Sequence, residues 1–219
     1  MIDHLSSMEA LAGLKQHYDT SYLAEKHDSP DGSRVALGQK MMEALKQGIP
    51  TPWILDVGSG RQSVEKEFMA PRQRRYGDFL DKFKFATLDI AKIPRRNLLA
   101  RKLGVEHTRA SGLALPYPDG QMGLVFSNHA IDFLPDEVYD EVARVLAPEG
   151  KVIFNFHHPS MLQGLNRMRD KNVKNLWQYL KDNGSLFETE TKIRETLASH
   201  GLTVDEVKLM NDGRDQWWE

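Results

Sequence analysis

Cysteine is absent from the 219 residues, which excludes disulfide frameworks, thiolate nucleophiles and cysteine-ligated zinc. No apolar run approaches the roughly 20 residues that a membrane-spanning helix needs, and the mean hydropathy is −0.52. The first ten residues, MIDHLSSMEA, carry an aspartate and a histidine and no apolar h-region, so no secretory signal is expected. Neither sign of charge is in excess: 29 Lys and Arg stand against 31 Asp and Glu, a formal net charge of −2. That balance argues against a chain built mainly to neutralise nucleic acid. Internal repeats and low-complexity segments are also missing. What these absences leave is a cytoplasmic enzyme or binding protein, long enough for one sizeable core and short for two.

What is present divides at about residue 50. Residues 7–47 read as helices broken by the turn formers of "HDSPDGS" at 27–33. The second of these helices repeats apolar residues at Leu37, Met41, Met42 and Leu45, and Gly48 with Pro50 ends it. Residues 1–50 are thus expected to form a helical preface or lid, and 51–219 the main domain. From Trp53 onward short apolar runs alternate with helical stretches. Strands are predicted at 53–57 (WILDV), 83–89 (FKFATLD), 106–110 (EHTRA), 123–127 (GLVFS) and 151–156 (KVIFNF). Between the last two, Pro135 opens a helix whose inner face is Val138, Val142, Val145 and Leu146. Alternation of this kind implies βαβ crossovers and a mainly parallel sheet. Further on, helices are predicted near 174–182 and 190–199, the second closed by Gly201. Strands at 203–210 and 216–219, joined by "NDG", would add an antiparallel edge.

The stretch "WILDVGSGRQS" poses the functional question. Gly58 and Gly60 follow the first strand, at the sheet edge where open α/β folds bind ligands. A glycine turn admits a ligand without a Cβ in the way, and a helix starting near Ser63 would aim its N–H groups at an anion. Asp89, closing "FATLD", is the next acid at a strand end and can accept hydrogen bonds from vicinal ribose hydroxyls; its plainer role is an N-cap or turn residue. As a dinucleotide fingerprint the match is incomplete, because Ser63 replaces the third glycine and Asp89 lies well beyond the ~20-residue spacing of that motif.

A second stretch is more specific: "ASGLALPYPDGQMGLVFSNHAIDFLPD" followed by "EVARVLAPEGKVIFNF". Together with the glycine turn it resembles the class I S-adenosylmethionine-dependent methyltransferases of the small-molecule, methyltransferase type 11-like kind. The matching parts run in order from about 53 to 156: Leu115 and Pro116, the strand 123–127, the helix 135–146, and then Arg144, Val145, Leu146, Pro148 and Gly150. The resemblance implies an α/β fold, a Rossmann-like three-layer sandwich around a mainly parallel seven-stranded sheet with an antiparallel last strand. It implies S-adenosylmethionine as cofactor, with S-adenosylhomocysteine as its product. By position, Asp56, Gly58, Ser59 and Gly60 would surround the methionine moiety and Asp89 the ribose. Ile90 would lie against the adenine, Ser111, Gly112 and Leu113 would line its edge, and Asn128 and His129 would face the methyl group.

Three positions depart from the family pattern. Gln62 stands where a third glycine is usual, Ser111 where an aspartate is common, and Gly123 where an aspartate often precedes the fourth strand. These departures keep open a catalytically degenerate protein that binds cofactor or a partner without turnover. Between 72 and 102, ten Lys or Arg face three acids, a local net of +7; this belt either steers an anionic acceptor or RNA or is a solvated surface. An RNA methyltransferase rests on the belt alone, and an NAD-dependent oxidoreductase on the glycines alone.

Methyl transfer asks the protein mainly to position the acceptor and exclude water. A base is needed only where the acceptor must lose a proton. The candidates are His129, past the fourth strand, and the pair His157 and His158, past the fifth, of which at most one faces the pocket. His129 and His157 carry the expectation of catalysis, with loop histidines bonded to backbone as the plain alternative. A metal site on His129, His157 and Asp132 is not expected, since no histidine pair sits at helical ligand spacing with an acid third. Tyr18 and Tyr22 are candidates for a lid, and Trp177 and Tyr179 for the acceptor pocket, with ordinary packing the alternative for each. The expected partner is a small-molecule acceptor, anionic if the basic belt steers it.

Overall fold

The computed structural model describes residues 32–65, 78–92, 104–161, 186–211 and 216–219. Tyr18, Tyr22, Trp177, Tyr179, the helix expected near 174–182 and most of the basic belt lie outside them. Helix α1, Gly32–Gln47, is followed by strands β1 (Trp53–Val57), β2 (Lys84–Asp89), β3 (Glu106–Arg109) and β4 (Met122–Asn128). Helix α2 (Glu137–Val145), strand β5 (Leu146–His157), helix α3 (Glu190–Ser199) and strands β6 (Leu209–Asn211) and β7 (Gln216–Trp218) complete the order. The seven strands form one sheet in the order β3-β2-β1-β4-β5-β7-β6. The first five pair in parallel, and β7 joins β5 and β6 antiparallel.

Burial on both faces explains why β1 reads as an almost unbroken apolar run. Leu55 and Val57 enter one core cluster with Val138, Val142 and Val145 of α2. Ile54 points to the opposite face, where Phe85, Leu124 and Phe126 meet Leu37, Met41, Met42 and Leu45 of α1. Each such side chain contributes ~1.5–3 kcal/mol when fully buried. Helix α1 therefore belongs to the core of the sheet.

Several boundaries differ from the sequence expectation. Leu146, expected on the inner face of the helix, leaves it with φ −70° and ψ 130° and pairs with Met122. Pro148 is the cause: a proline disfavours helical geometry in the residue before it, so the chain is already extended two residues earlier. Strand β5 consequently starts at Leu146 rather than 151, and the register with β4 shifts between Met122 and Leu124. Gly123 sits in that shift, where a Cβ would overlap the carbonyl oxygen of Thr51. At the other end, β6 covers only Leu209–Asn211 of the predicted 203–210. Its ladder with β7 runs out at the reciprocal backbone bonds between Lys208 and Glu219.

The motif around Leu115 and Arg144 is a clamp. Arg144 Nη2 donates to the carbonyl of Leu115 at 2.9 Å, and Nη1 to that of Tyr117 at 2.9 Å and to Asp119 at 2.7 Å. Glu141, bonded to Arg144, accepts the backbone N–H of Leu115 at 2.7 Å. Two side chains on α2 thus hold the turn that carries the chain from β3 toward β4.

Candidate active site

Strand order reverses between β1 and β4, and the crevice outside their carboxyl ends is the expected ligand site of an open parallel sheet. The turn after β1 enters this crevice through residues in the left-handed region: φ is +77° at Gly58, +49° at Gly60 and +58° at Gln62. Gly58 is also pressed against Ala130, which follows β4, so that any Cβ there would overlap the alanine methyl group. The backbone N–H groups of Gly58 and Ser59 donate to the Leu88 carbonyl at 2.8 and 3.0 Å, tying the turn to β2.

Asp89 completes the attachment. Its Oδ2 accepts the N–H of Gly60 at 2.7 Å and its Oδ1 that of Ala91 at 2.7 Å. Each carboxylate oxygen has a further lone pair for a ligand hydroxyl. Gln62, where the resemblance expects a third glycine, adopts a left-handed φ of +58°. Its buried side chain donates to Thr87 Oγ1 at 2.8 Å, and Thr87 also meets His107 Nδ1 at 2.9 Å. A left-handed residue with a Cβ costs about 1–2 kcal/mol, which this buried hydrogen bond offsets.

The cleft is lined by Gly58, Gly60, Asp89, Ile90, Ser111, Gly112, Asn128 and His129, with Phe133 and Leu134 at one wall. Eight of the twelve residues expected from the sequence are therefore brought together. Leu113 is outside the lining, as are Ser59, Asp56 and His157. Asp56 is buried on the α1 side of β1, opposite Glu65. Burial first, then the charge of Glu65 and a hydrogen bond to it, then Asp89, push the Asp56 carboxyl well above the usual range. Burial raises Glu65 as well. Gly123 lies at the far end of β4, where its departure from the family pattern does not touch the cleft.

The side chains after β4 and β5 are held from below. Asn155 is fully buried and donates to Asn128 Oδ1 at 2.9 Å and to the Ser33 carbonyl of α1 at 3.0 Å. Ser127 donates to the Val57 carbonyl at 2.7 Å and accepts from Ile131 at 3.1 Å. His129 adopts a left-handed φ of +54°, and its N–H donates to the Asn155 carbonyl at 2.9 Å. Its ring lies 4.6 Å, centroid to centroid, from that of His157. His157 bonds in turn to Asp132 through Nδ1 at 2.8 Å and through its backbone N–H at 2.7 Å. His158 points elsewhere, to Ser160 at 2.8 Å.

Sequence reasoning missed Glu65, Asn155, Ser127 and the pairing of Asp132 with His157. Each has an unremarkable neighbourhood in sequence and acquires its role from a strand neighbour. A polar residue in an otherwise apolar strand, such as Asn155 in "VIFNF", was the one available signal. A larger hollow of about 740 Å³ lies between β5 and the 201–207 segment. None of the glycine-turn residues lines it.

Residues 55–154 match the family described as methyltransferase domain. Over that segment the chain is similar to the class I S-adenosylmethionine-dependent methyltransferases. The chain is 29% identical over 158 residues to the malonyl-[acyl-carrier protein] O-methyltransferase of Halorhodospira halophila, a match covering 69% of this chain and 50% of the relative. It thus spans about half the length of that curated protein. Its fold is that of the geranyl diphosphate C-methyltransferase from Streptomyces coelicolor A3(2), with a TM-score of 0.60 and 14% identity over 91% of this chain and 82% of the other. It is also that of an S-adenosylmethionine-dependent methyltransferase from Aquifex aeolicus, with a TM-score of 0.53 and 20% identity over 86% and 91%. The family's cofactor is S-adenosylmethionine, and the cleft fits its chemistry: a left-handed glycine turn at Gly58 and Gly60 lines it, and the carboxylate of Asp89 is anchored beside that turn for ribose hydroxyls.

Proposed function

We propose that this protein is a methyltransferase that transfers a methyl group from S-adenosylmethionine to a small-molecule acceptor. The observation that carries this reading is the placement of Asp89 beside the left-handed turn at the point where strand order reverses. The cofactor supplies a methyl carbon already activated by a sulfonium. The residues of this chain would bind and orient. Gly58 and Gly60 let the backbone approach the methionine end. Asp89 accepts from the ribose, and Ile90 covers one face of the base. Ser111 accepts the N–H of Leu113 at 3.2 Å, which leaves its hydroxyl hydrogen to donate to a ring nitrogen. Asn128 and His129 stand toward the acceptor, with Phe133 and Leu134 excluding water.

A small acceptor is supported by the structural neighbour whose name specifies geranyl diphosphate, whereas the curated relative's name specifies a malonyl group on an acyl-carrier protein. No described helix is long and apolar enough to cross a membrane. Isothermal titration with S-adenosylmethionine, S-adenosylhomocysteine and NAD tests the reading. Binding of the two sulfur compounds without NAD is expected, and an acceptor screen by S-adenosylhomocysteine release follows. Failure of both sulfur compounds to bind would turn the assignment toward a degenerate, partner-binding protein.

A further inference from the structure

Past the ends of β4 and β5, one buried carboxylate and two imidazoles stand in line toward the cleft. Asp132 belongs to the 3₁₀ turn Ile131–Phe133 and is 1% exposed. Its Oδ2 receives both the backbone N–H and the ring Nδ1 of His157, which fixes the plane of that ring. A carboxylate only accepts, so Nδ1 carries the hydrogen and Nε2 is the nitrogen that exchanges a proton. The His157 ring is packed between His129 at 4.6 Å and Phe133 at 4.9 Å. Of the two histidines, His129 lines the cleft. It does so from a left-handed backbone conformation that is uncommon for a residue with a Cβ and is often retained for function.

We propose that His129 is the catalytic base of this methyltransferase, that Asp132 and His157 are positioning residues acting on it, and that the acceptor atom is a hydroxyl oxygen. The inference rests on the methyltransferase reading above. In the step, the acceptor oxygen forms a bond to the methyl carbon while the carbon–sulfur bond breaks and its electron pair stays on sulfur, which departs as a neutral thioether. The hydroxyl proton passes to an imidazole nitrogen of His129. One buried negative charge stabilises one added proton on the adjacent imidazoles, whereas two protons there would repel. Asp132 keeps that charge: burial alone would raise its pKa, but His157, through charge and two hydrogen bonds, and then His129 outweigh it and hold the carboxyl below its usual range. From α2 the titratable neighbour is Tyr139, whose hydroxyl burial and then Asp132 push well upward, so it stays neutral. From β7 the neighbour is the uncharged Trp217, 6.3 Å from His129. Helix α1 reaches this end of β5 through the Ser33 carbonyl on Asn155.

The test is NMR of the histidine ring nitrogens of the full chain at neutral pH, in the wild type and in Asp132→Asn, alongside calorimetry with S-adenosylhomocysteine. The wild type is expected to show His157 carrying its hydrogen on Nδ1. In the variant, whose side-chain amide can present a donor to Nδ1, that single tautomer is expected to be lost and the His129 ring resonances to shift, with S-adenosylhomocysteine affinity unchanged. An unaltered tautomer with unmoved His129 resonances overturns the proposal. If the variant does not fold, the wild type decides alone, because a His157 proton on Nε2 overturns it equally. An active acceptor methylated at a carboxylate or a tertiary amine would overturn the hydroxyl assignment. Loss of S-adenosylhomocysteine binding by the wild type would count against the methyltransferase reading, whereas an unaltered tautomer with that binding intact counts against the relay alone.

Discussion

The backbone N–H of Gly60 reaches Oδ2 of Asp89 at 2.7 Å, so the end of β2 sets the position of the turn that ends β1. Asp89 has a structural duty as well as the ligand role proposed for it.

Removing that carboxylate has two separable effects. Asp89→Ala leaves the N–H groups of Gly60 and Ala91 without their partner, a loss of about 2–4 kcal/mol in urea denaturation. It is also expected to abolish S-adenosylmethionine binding in calorimetry. Asp89→Asn keeps one accepting oxygen and should fall between. Reduced stability with unchanged affinity would leave Asp89 as a turn anchor only.

Gly58→Ala meets two obstacles, the left-handed φ and the Ala130 methyl group. A destabilisation of roughly 2–4 kcal/mol is expected from strain and overpacking together. Ala130→Gly in the same chain should recover only the packing part. Full recovery, measured by thermal denaturation, would show that the backbone conformation is not under strain.

The Asp56–Glu65 pair makes stability depend on pH in a direction opposite to that of most native carboxylates. Asp56 has a raised pKa when folded, so the native state binds more protons than the unfolded one at pH values above the unfolded pKa of about 3.9. Its contribution is fully present below that value and is lost as pH rises through the folded pKa. Asp56→Asn, which keeps a donor toward Glu65, should therefore gain stability relative to wild type at pH 8 and little at pH 5. Asp132, with its lowered pKa, acts the other way, its contribution being lost as pH falls through the folded value. Denaturant midpoints across pH 4–9 check the difference between wild type and Asp56→Asn.

Arg144→Ala should loosen the turn at Leu115–Tyr117 without touching the cleft lining. The guanidinium is about a third exposed, so its ion pairs with Glu141 and Asp119 are screened, and the loss rests mainly on the two carbonyl bonds. A drop of about 1–2 kcal/mol is expected, with S-adenosylhomocysteine affinity within twofold of wild type. Faster amide exchange at 113–118 would locate the effect. A large affinity loss would mean that this turn shapes the adenine end of the cleft.

Local signals in the sequence determined much of this protein. Two-sided apolar runs define the strands, the 3.6-residue period of Val138, Val142 and Val145 defines α2, and the glycines mark the turn, because each depends on residues close along the chain. The family pattern from Leu115 to Gly150 was equally legible, although the reason Arg144 belongs to it appears only when its guanidinium is seen on two carbonyls of a distant turn. Tertiary structure alone decided that Asp56 faces Glu65 rather than the cleft and that Gln62 keeps a glycine's conformation. It also decided that His157 meets Asp132, a residue 25 positions earlier. These pairings follow from strand register and from the side of the sheet on which each Cβ emerges. A one-residue slip would reverse every one of them, and no local pattern encodes it.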